Sequence, residues 1–353
     1  MLSSHPLPLE VLSGTALRRI FRDTPPAPRV AQRGPREQRA VAGRYKLEAY
    51  LESGGTADVY SALDLSNLRP VALKLLREEA ARSPVLREHF LTGARAAMRI
   101  EHDNVVRVLE VRDRRDMRPY AVMELLEGKS LDAVLRTNRG VDLSLALELA
   151  RQAALGLDAA HRAGVVHCDV KPENLFVGSG PDGQIRLKVL DFDLANVDRA
   201  EDPGEGHLLR GTAKYMAPEQ VVGDPVDART DVYALGIVLF RLLTGQLPFD
   251  LPLGATLLRH HLYSPLPPLS WFLDGVDPRV ESVVARATRK DPFLRYPSML
   301  VFCADLEALA SGAPLTPWAL KGEPDAYRPR SPRGIENERA LRPEAWPTEM
   351  SAA

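Results

Sequence analysis

The sequence has few cysteines, almost no net charge and no long apolar run, and each absence narrows the classes of protein it fits. Only two cysteines, Cys168 and Cys303, occur among its 353 residues, too few for a disulfide framework or a cysteine-based metal cluster. We therefore expect a reduced, intracellular protein of the cytoplasm. The formal net charge is -1, so overall charge does not favour nucleic acid or a membrane surface as a partner.

Apolar runs are also short. The longest, "VYALGIVLF", begins at Val232 and stops before Arg241, at about half of the ~20 residues that span a bilayer. The first residues, "MLSSHPLPLE", lack the basic start and unbroken apolar core of a signal peptide. We therefore expect no membrane anchor within this sequence.

Both ends of the sequence are rich in proline and arginine. Residues 1–43 contain "TPPAP" and "RGPREQR", and residues 313–353 contain "YRPRSPRG", without an apolar period in either segment. Such segments bury little apolar surface, so we predict two flexible extensions. The alternative is that one of them docks on a partner protein.

The middle of the chain changes character once. Short apolar runs bounded by turn residues predict strands over much of residues 44–127, with one helix in this region. Helical spacing dominates residues 128–312. The predicted helices cover 83–100, 143–162, 231–244, 256–260 and 279–288. An α+β chain is expected, in which a small β-rich part precedes a larger α-rich part.

A loop after the 143–162 helix carries the residues best suited to chemistry. Asp169, Lys171 and Asn174 lie there, and Asp191 ends the second strand that follows. Carboxylate and amide oxygens together with phosphate oxygens suit Mg²⁺, so Asn174 and Asp191 form a candidate metal site. Asp169 can then accept a proton from an attacking hydroxyl, while Lys171 neutralises charge on the transferred group.

Several motifs, in this order and spacing, resemble the protein kinase family over about residues 45–309. Lys171 and the segment "GTAKYMAPEQ" are similar to its serine/threonine branch, and the style is that of bacterial kinases. One such motif alone is a weak signal, whereas several in register are strong. The motifs are "VALKLL" at 71–76, "HCDVKPEN" at 167–174, "DFD" at 191–193, "APE" at 217–219 and "DPFLRY" at 291–296.

The resemblance implies a two-lobed kinase fold, in which residues 44–127 form a small antiparallel β lobe with one helix and residues 128–312 a larger helical lobe. It implies ATP and Mg²⁺ as cofactors and protein serines or threonines as acceptors, with no nucleic acid. Lys74, Asp169 and Lys171 would be catalytic. The residues implied to contact ATP are Gly54, Gly55, Val59, Ala72, Lys74, Glu124, Leu126 and Phe176.

Three departures from the family pattern concern the nucleotide site. Glu52 and Ala57 stand where the first and third glycines of the glycine-rich loop belong, and bulk and negative charge at Glu52 should weaken ATP binding. Gly93 replaces the glutamate that normally pairs with the lysine matched by Lys74. Asp193 replaces the glycine of the metal-binding triplet, and we hypothesise that it substitutes as a partner of Lys74 or adds a metal ligand.

A fourth departure concerns regulation. Cys168 stands in place of the arginine that commonly receives an activating phosphate in the family, and the segment 194–211 contains no Ser, Thr or Tyr. The two absences agree with each other. They predict a kinase of the non-RD type that works without phosphorylation of its activation segment.

Two functions remain open from the sequence. The first is an ATP-dependent serine/threonine protein kinase, because the charged catalytic residues are present. The alternative is a pseudokinase that acts as a nucleotide-binding or scaffold module, which Glu52, Gly93 and Asp193 favour. A third hypothesis, a cysteine nucleophile at Cys168, is weak because the resemblance places its would-be base, His167, in the interior.

Overall fold

The computed structural model describes residues 40–114, 117–138, 140–180, 183–192, 212–317, 326–331, 334 and 336–337. These form two lobes around a cleft. The strands are β1 (Ala40–Val41), β2 (Tyr45–Ser53), β3 (Ala57–Asp64), β4 (Arg69–Leu76), β5 (Val108–Arg112), β6 (Tyr120–Glu124), β7 (Gly128–Ser130), β8 (Leu175–Ser179) and β9 (Ile185–Val189). The helices are α1 (Glu78–Ala81), α2 (Pro84–Ala97), α3 (Leu131–Thr137), α4 (Leu143–Arg162), α5 (Pro218–Val222), α6 (Ala228–Thr244), α7 (Ala255–Tyr263), α8 (Pro278–Ala287) and α9 (Met299–Ser311).

The smaller lobe is an antiparallel sheet, as the resemblance implies, and its strand order is β1-β2-β3-β4-β6-β5. Two details differ from the prediction. The sheet begins inside the predicted extension, because Ala40 pairs with Lys46, and the four-residue helix α1 precedes the one helix expected. Strand pairing satisfies the backbone groups of residues 40–41, which the proline-rich composition of the extension does not reveal.

Helix α2 covers the sheet. The Ser83 hydroxyl accepts a hydrogen bond from the Leu86 N–H, and Pro84 occupies the first turn. The helix ends at Ala97 rather than Ile100. Its buried face carries Phe90 and Gly93, so the position where the family has a glutamate lies on the side of the helix that packs inward.

The larger lobe is built around α4 and α6, which contact each other in its core. The predicted helix Leu143–Arg162 is confirmed at both ends, and the Asp142 carboxylate caps it by accepting from the Leu145 N–H. Nearly every residue of α6 is buried, so this helix can anchor neighbouring loops from within.

A three-stranded sheet, β7-β8-β9, lies at the boundary between the lobes and carries the loop with Asp169 and the residue Asp191. Val105 of the smaller lobe pairs with Val189 of β9, which fixes the three-stranded sheet against the smaller lobe. Gly128 begins β7 with a φ of 151°, and a Cβ there would lie 2.1 Å from the Val177 carbonyl oxygen. Only glycine fits so close a strand contact.

The residues after α9 contact the larger lobe. The Thr316 N–H donates to Asp305, and Tyr327 is buried, with its hydroxyl 2.7 Å from Asp224 Oδ2. The prediction of a flexible tail from residue 313 is therefore wrong for these described residues, because buried carboxylates bind their polar groups. None of the described helices is long and apolar enough to cross a lipid bilayer.

Candidate active site

A salt bridge across the cleft joins the two lobes. Lys74 Nζ, from β4, lies 2.7 Å from Asp191 Oδ1, which follows β9. The Lys74 side chain is largely buried, whereas that of Asp191 is 38% exposed and borders the cleft. The Phe90 ring, one turn before Gly93 on α2, lies 5.9 Å from Lys74 Nζ. The lysine that lacks a glutamate on α2 is thus oriented by Asp191, the aspartate predicted to bind metal.

Asp191 takes the left-handed backbone conformation, with a φ of 59°. Asp tolerates this region better than most residues, and its neighbour Phe192 is buried against the His167 ring at 4.7 Å between centroids. Because Phe192 is anchored inside the larger lobe, the preceding carboxylate points to the cleft. The backbone thus presents Asp191 to Lys74.

Glu52 faces the same cleft. In the sheet register Glu52 pairs with Val59, and Val59 pairs with Lys74, so the three side chains project from one face. Glu52 is exposed at the cleft, but partial desolvation there raises the pKa of its carboxyl, as does the negative charge of Asp191, against the opposing effect of Lys74 and Lys171. The predicted conflict between Glu52 and an anionic ligand therefore has a geometric basis.

Asp169, Lys171 and Asn174 form one hydrogen-bonded group on the loop after α4. Lys171 Nζ lies 2.7 Å from Asp169 Oδ2, and Asn174 Nδ2 donates to the same oxygen at 3.0 Å and to the Asp169 carbonyl at 2.9 Å. The Leu190 N–H donates to the Asn174 carbonyl at 2.8 Å, which ties this loop to the residue before Asp191. This backbone hydrogen bond thus holds the Asp169 group beside the Lys74–Asp191 salt bridge.

Asp231 of α6 binds the backbone of the loop that carries Asp169. Its buried carboxylate accepts from the N–H groups of His167 at 2.9 Å and Cys168 at 2.8 Å and contacts His161 Nε2 at 2.7 Å. Burial opposes ionisation, but these donors and the charge of His161 outweigh it and hold the Asp231 pKa below its usual range. The carboxylate therefore stays ionised and fixes the loop.

The cysteine-nucleophile hypothesis does not fit the loop geometry. His167 is buried; its Nε2 donates to the Leu190 carbonyl at 2.8 Å, and its Nδ1 accepts from the Asp169 N–H at 3.2 Å. Both ring nitrogens thus have partners other than Cys168, so His167 is not positioned as its base. Cys168 is itself buried, and its carbonyl accepts from Gln220 Nε2 at 2.8 Å.

The predicted nucleotide-contact residues surround the cleft on both sides. Register places Ala72 opposite Met123, with Val59 and Lys74 on the same face of the sheet. Phe176 lies on β8 of the larger lobe, opposite Ser130. Glu124 and Leu126 lie where β6 leads into the lower lobe, and the Glu124 side chain binds Lys188 Nζ at 2.7 Å.

Gly54 and Gly55 form the turn between β2 and β3. The Gly54 N–H donates to the Ala57 carbonyl at 2.9 Å, and a Cβ at Gly54 would lie 2.9 Å from the same oxygen. This contact excludes larger residues, whereas a Cβ at Gly55 would meet no atom within 4 Å. The retained glycine, Gly54, is therefore the one that the turn requires.

The donor set suits Mg²⁺ bound with a nucleotide better than a metal bound by protein alone. No group of three or more His, Cys, Asp or Glu side chains in the described parts of the chain is arranged to hold a metal ion. Asn174 turns its amide nitrogen toward Asp169, so its amide oxygen could serve as a metal ligand, and Asp191 adds a carboxylate at the cleft. Mg²⁺ commonly uses one or two such ligands with phosphate oxygens and water.

Glu219 of α5 and Arg295 form a buried salt bridge in the larger lobe. Arg295 donates to both Glu219 oxygens, at 2.7 and 2.8 Å, and both side chains are at most 3% exposed. Thr230 of α6 donates to Glu219 Oε1 at 2.8 Å. The pair connects α5 to the segment 291–296 of the larger lobe.

Sequence reasoning missed a polar cluster beneath this region. Arg241 of α6 lies 2.5 Å from the Tyr215 hydroxyl and 3.3 Å from Asp132, and burial raises the pKa of nearby Glu173. Glu173 Oε2 is buried without a hydrogen-bond partner among the described residues. The sequence signal was present, since Glu173 belongs to "KPEN", but its surroundings come from helices far along the chain. Asp193 and residues 194–211, which carry two of the predictions, lie outside the described residues.

Comparison with known proteins identifies the family. A model of the protein kinase domain matches residues 45–288. Serine/threonine-protein kinase PknL of Mycobacterium tuberculosis is 36% identical over 278 residues, which cover 79% of this chain and 68% of the relative. Pkn1 of Myxococcus xanthus is 38% identical over 262 residues, covering 74% of this chain but 37% of the relative.

A solved structure shows the same fold. The PknI kinase domain of Mycobacterium tuberculosis, at 25% identity, aligns with a TM-score of 0.61 and covers 78% of this chain and 99% of that domain. Its two-lobed architecture matches the sheet and helices described above, and the sequence relatives are named serine/threonine kinases. The chain therefore belongs to the protein kinase family and is a bacterial-type serine/threonine protein kinase.

Proposed function

We propose that the chain transfers the γ-phosphoryl group of ATP to serine or threonine hydroxyls of proteins, with Mg²⁺ bound at Asn174 and Asp191. The observation that carries this proposal is the hydrogen-bonded group of Asp169, Lys171 and Asn174 beside the Lys74–Asp191 salt bridge. Phosphoryl transfer depends on positioning and charge stabilisation, and these five residues supply both.

Each residue has a distinct role. Asp169 orients the acceptor hydroxyl and takes its proton as the oxygen attacks the γ-phosphorus. Lys171, already 2.7 Å from Asp169, offers positive charge to the equatorial oxygens that gain negative charge in the transition state. Lys74 offers positive charge from the opposite lobe. Asn174 and Asp191 would hold Mg²⁺, which would supply further positive charge to the phosphates.

Regulation without phosphate on residues 194–211 is part of the proposal. Cys168 contributes no positive side chain, and its main chain is held by Asp231 and Gln220 rather than by a phosphate-dependent contact. Buried partners thus fix the conformation of the loop at Cys168. Peptide mapping of the purified chain should find no phosphate between 194 and 211, and a phosphate there would refute this part.

Nothing in the relatives favours the pseudokinase alternative, because those compared carry the name of serine/threonine kinases. A cytoplasmic location and protein partners on the terminal extensions stay predictions from the sequence. The predicted catalytic residues are present, whereas Glu52 and Gly93 depart from the family pattern at the nucleotide site. This combination supports an active enzyme with a weak affinity for ATP.

The proposed activity is tested with radiolabelled ATP, Mg²⁺ and a generic acceptor such as casein. Asp169→Asn should abolish transfer while nucleotide still raises the melting temperature. Asp274→Asn is the matched control, because Asp274 is an exposed carboxylate of the lower lobe outside the described catalytic group. Equal labelling by wild type and Asp169→Asn, or none by either, would refute the proposal.

A further inference from the structure

A single buried carboxylate gathers the C-terminal tail onto the larger lobe. Asp224, two residues after α5, is 5% exposed. Its Oδ2 accepts from the Tyr327 hydroxyl and the Arg330 N–H, each at 2.7 Å. Its Oδ1 accepts from the Ser331 N–H at 2.9 Å and from the Ser331 hydroxyl. Both oxygens of one carboxylate are thus used to bind the tail.

Other contacts surround this centre. The Tyr327 N–H donates to the Leu262 carbonyl of α7 at 2.8 Å, and Asn337 Nδ2 donates to the Val222 carbonyl of α5 at 2.6 Å. Arg330 pairs with Asp291 at 2.6 Å, and its guanidinium covers the Phe293 ring. The tail therefore connects α5, α7 and the loop that begins at Asp291.

The Ser331 hydroxyl lies at the centre of this attachment. The Ser331 Oγ donates to Asp224 and accepts from the Gly334 N–H at 2.9 Å, so the hydroxyl is enclosed by partners. A Cβ at Gly334 would lie 2.2 Å from Asp224 Oδ1, which leaves no room for an added group beside this carboxylate. Although burial opposes it, hydrogen bonds from Ser331 and Tyr327 hold the Asp224 pKa below its usual range.

We propose that Ser331 is a phosphorylation site at which modification by a second copy of this chain releases the tail from the larger lobe. The inference rests on the proposed kinase activity. A phosphoserine replaces the hydroxyl donor by a group of about -2 charge, which would face the Asp224 carboxylate and repel it. The docked tail leaves no space for the phosphate, so transfer occurs while the tail is transiently detached. The phosphate then prevents the tail from docking again.

The chemical step is ordinary phosphoryl transfer. The Ser331 O–H bond breaks and an Oγ–phosphorus bond forms, while the bond from the γ-phosphorus to its bridging oxygen in ATP breaks and ADP leaves. The proton passes through Asp169 of the acting copy to solvent. Release separates the tail from α5, the helix that carries Glu219 and whose Glu219 carbonyl accepts from the Asp224 N–H.

The test follows phosphate and tail together in the full-length chain. Wild type is incubated with Mg²⁺, ATP and casein; peptide mass spectrometry locates phosphate, and hydrogen exchange is measured over residues 326–331. Phosphate should appear on Ser331, and the phosphorylated chains should exchange at least about tenfold faster in this segment. Ser331→Ala should label casein as wild type does and keep the tail protected. Gly334→Ala should accelerate exchange without any phosphate.

Each other outcome is decisive. Casein labelling with Ser331 unmodified, or phosphorylated Ser331 with slow exchange, overturns the inference and leaves the proposed kinase activity standing. Labelling of neither casein nor Ser331 overturns the proposed activity and, with it, self-modification. A phosphoserine introduced at 331 during synthesis tests release independently, and continued protection of residues 326–331 in that protein would overturn the release.

Discussion

Lys74 and Asp191, from opposite lobes, form a direct salt bridge of 2.7 Å in a chain whose α2 helix has glycine where the family has the partner glutamate. The same aspartate is the expected Mg²⁺ ligand. In the proposed mechanism this carboxylate serves two cations, so binding of Mg²⁺ with ATP redistributes its contacts. In that mechanism the competition accounts for the proposed weak affinity for ATP beside a full set of predicted catalytic residues.

Gly93→Glu should raise activity. A carboxylate on the buried face of α2 gives Lys74 a second partner and leaves Asp191 to the metal, so we expect kcat/KM for ATP to rise about threefold to tenfold. Gly93→Gln is the matched control, because it adds the same bulk without charge. Equal effects of the two substitutions would mean that the missing ion pair is not the defect.

Glu52→Gln should tighten ATP binding. Glu52 projects from the same face as Lys74, so removing its charge removes repulsion of the phosphates, and KM for ATP should fall about threefold to tenfold with kcat little changed. Glu48→Gln, an exposed position on the same strand, should leave KM unchanged. An unaltered KM for Glu52→Gln would contradict the orientation of this side chain.

Arg295→Met should lower the free energy of unfolding by about 3–5 kcal/mol, because it leaves Glu219 charged and buried without its bidentate partner. The double variant Arg295→Met/Glu219→Gln should lose less than the sum of the single losses. Urea denaturation of the four proteins measures this coupling. A loss below about 1 kcal/mol for Arg295→Met would show that the pair does not secure α5.

Stability should fall as pH falls below about 6.5, because of His261. Burial lowers the pKa of His261 to about 3, and the neighbouring Lys290 charge acts in the same direction. His261 takes up a proton near pH 6.5 in the unfolded chain but only near pH 3 in the folded chain. Between these values the free energy of unfolding therefore falls by about 1.4 kcal/mol for each unit by which the pH falls.

His261→Gln separates this effect from the titration of carboxylates. Tyr233 lies 2.9 Å from His261 Nδ1, and glutamine retains an acceptor for its hydroxyl without a titrating ring. Between pH 6.5 and 5 the variant should lose less stability than wild type. Parallel pH profiles for the two proteins would show that His261 is not the group responsible.

The sequence predicts elements that carry their own signals. Helix α4 has its capping Asp142 and a regular apolar face, so both ends were predicted. Helix α9 was missed because apolar residues make up most of Met299–Ser311 and leave little polar contrast to indicate a period. Two-residue strands such as β1 have no pattern at all.

Contacts between distant residues explain the rest of what the sequence did not predict. "VALKLL" identifies Lys74, but its partner depends on how the lobes meet, 117 residues apart in the chain. The tail is similar: proline and arginine content predicts flexibility, whereas Asp224, more than 100 residues earlier, binds Tyr327 and Ser331. Asp224 is one of 47 acidic residues, and no local pattern distinguishes it.

The central claim is that Asp191 binds Mg²⁺ with ATP although it also orients Lys74. The most direct test is the rate of phosphoryl transfer in a single turnover, measured across Mg²⁺ concentrations for wild type and Asp191→Asn. We predict a rate that saturates with Mg²⁺ in wild type and falls at least about 100-fold in the variant at every concentration. Transfer by Asp191→Asn at the wild-type rate, with the same Mg²⁺ dependence, would contradict the claim.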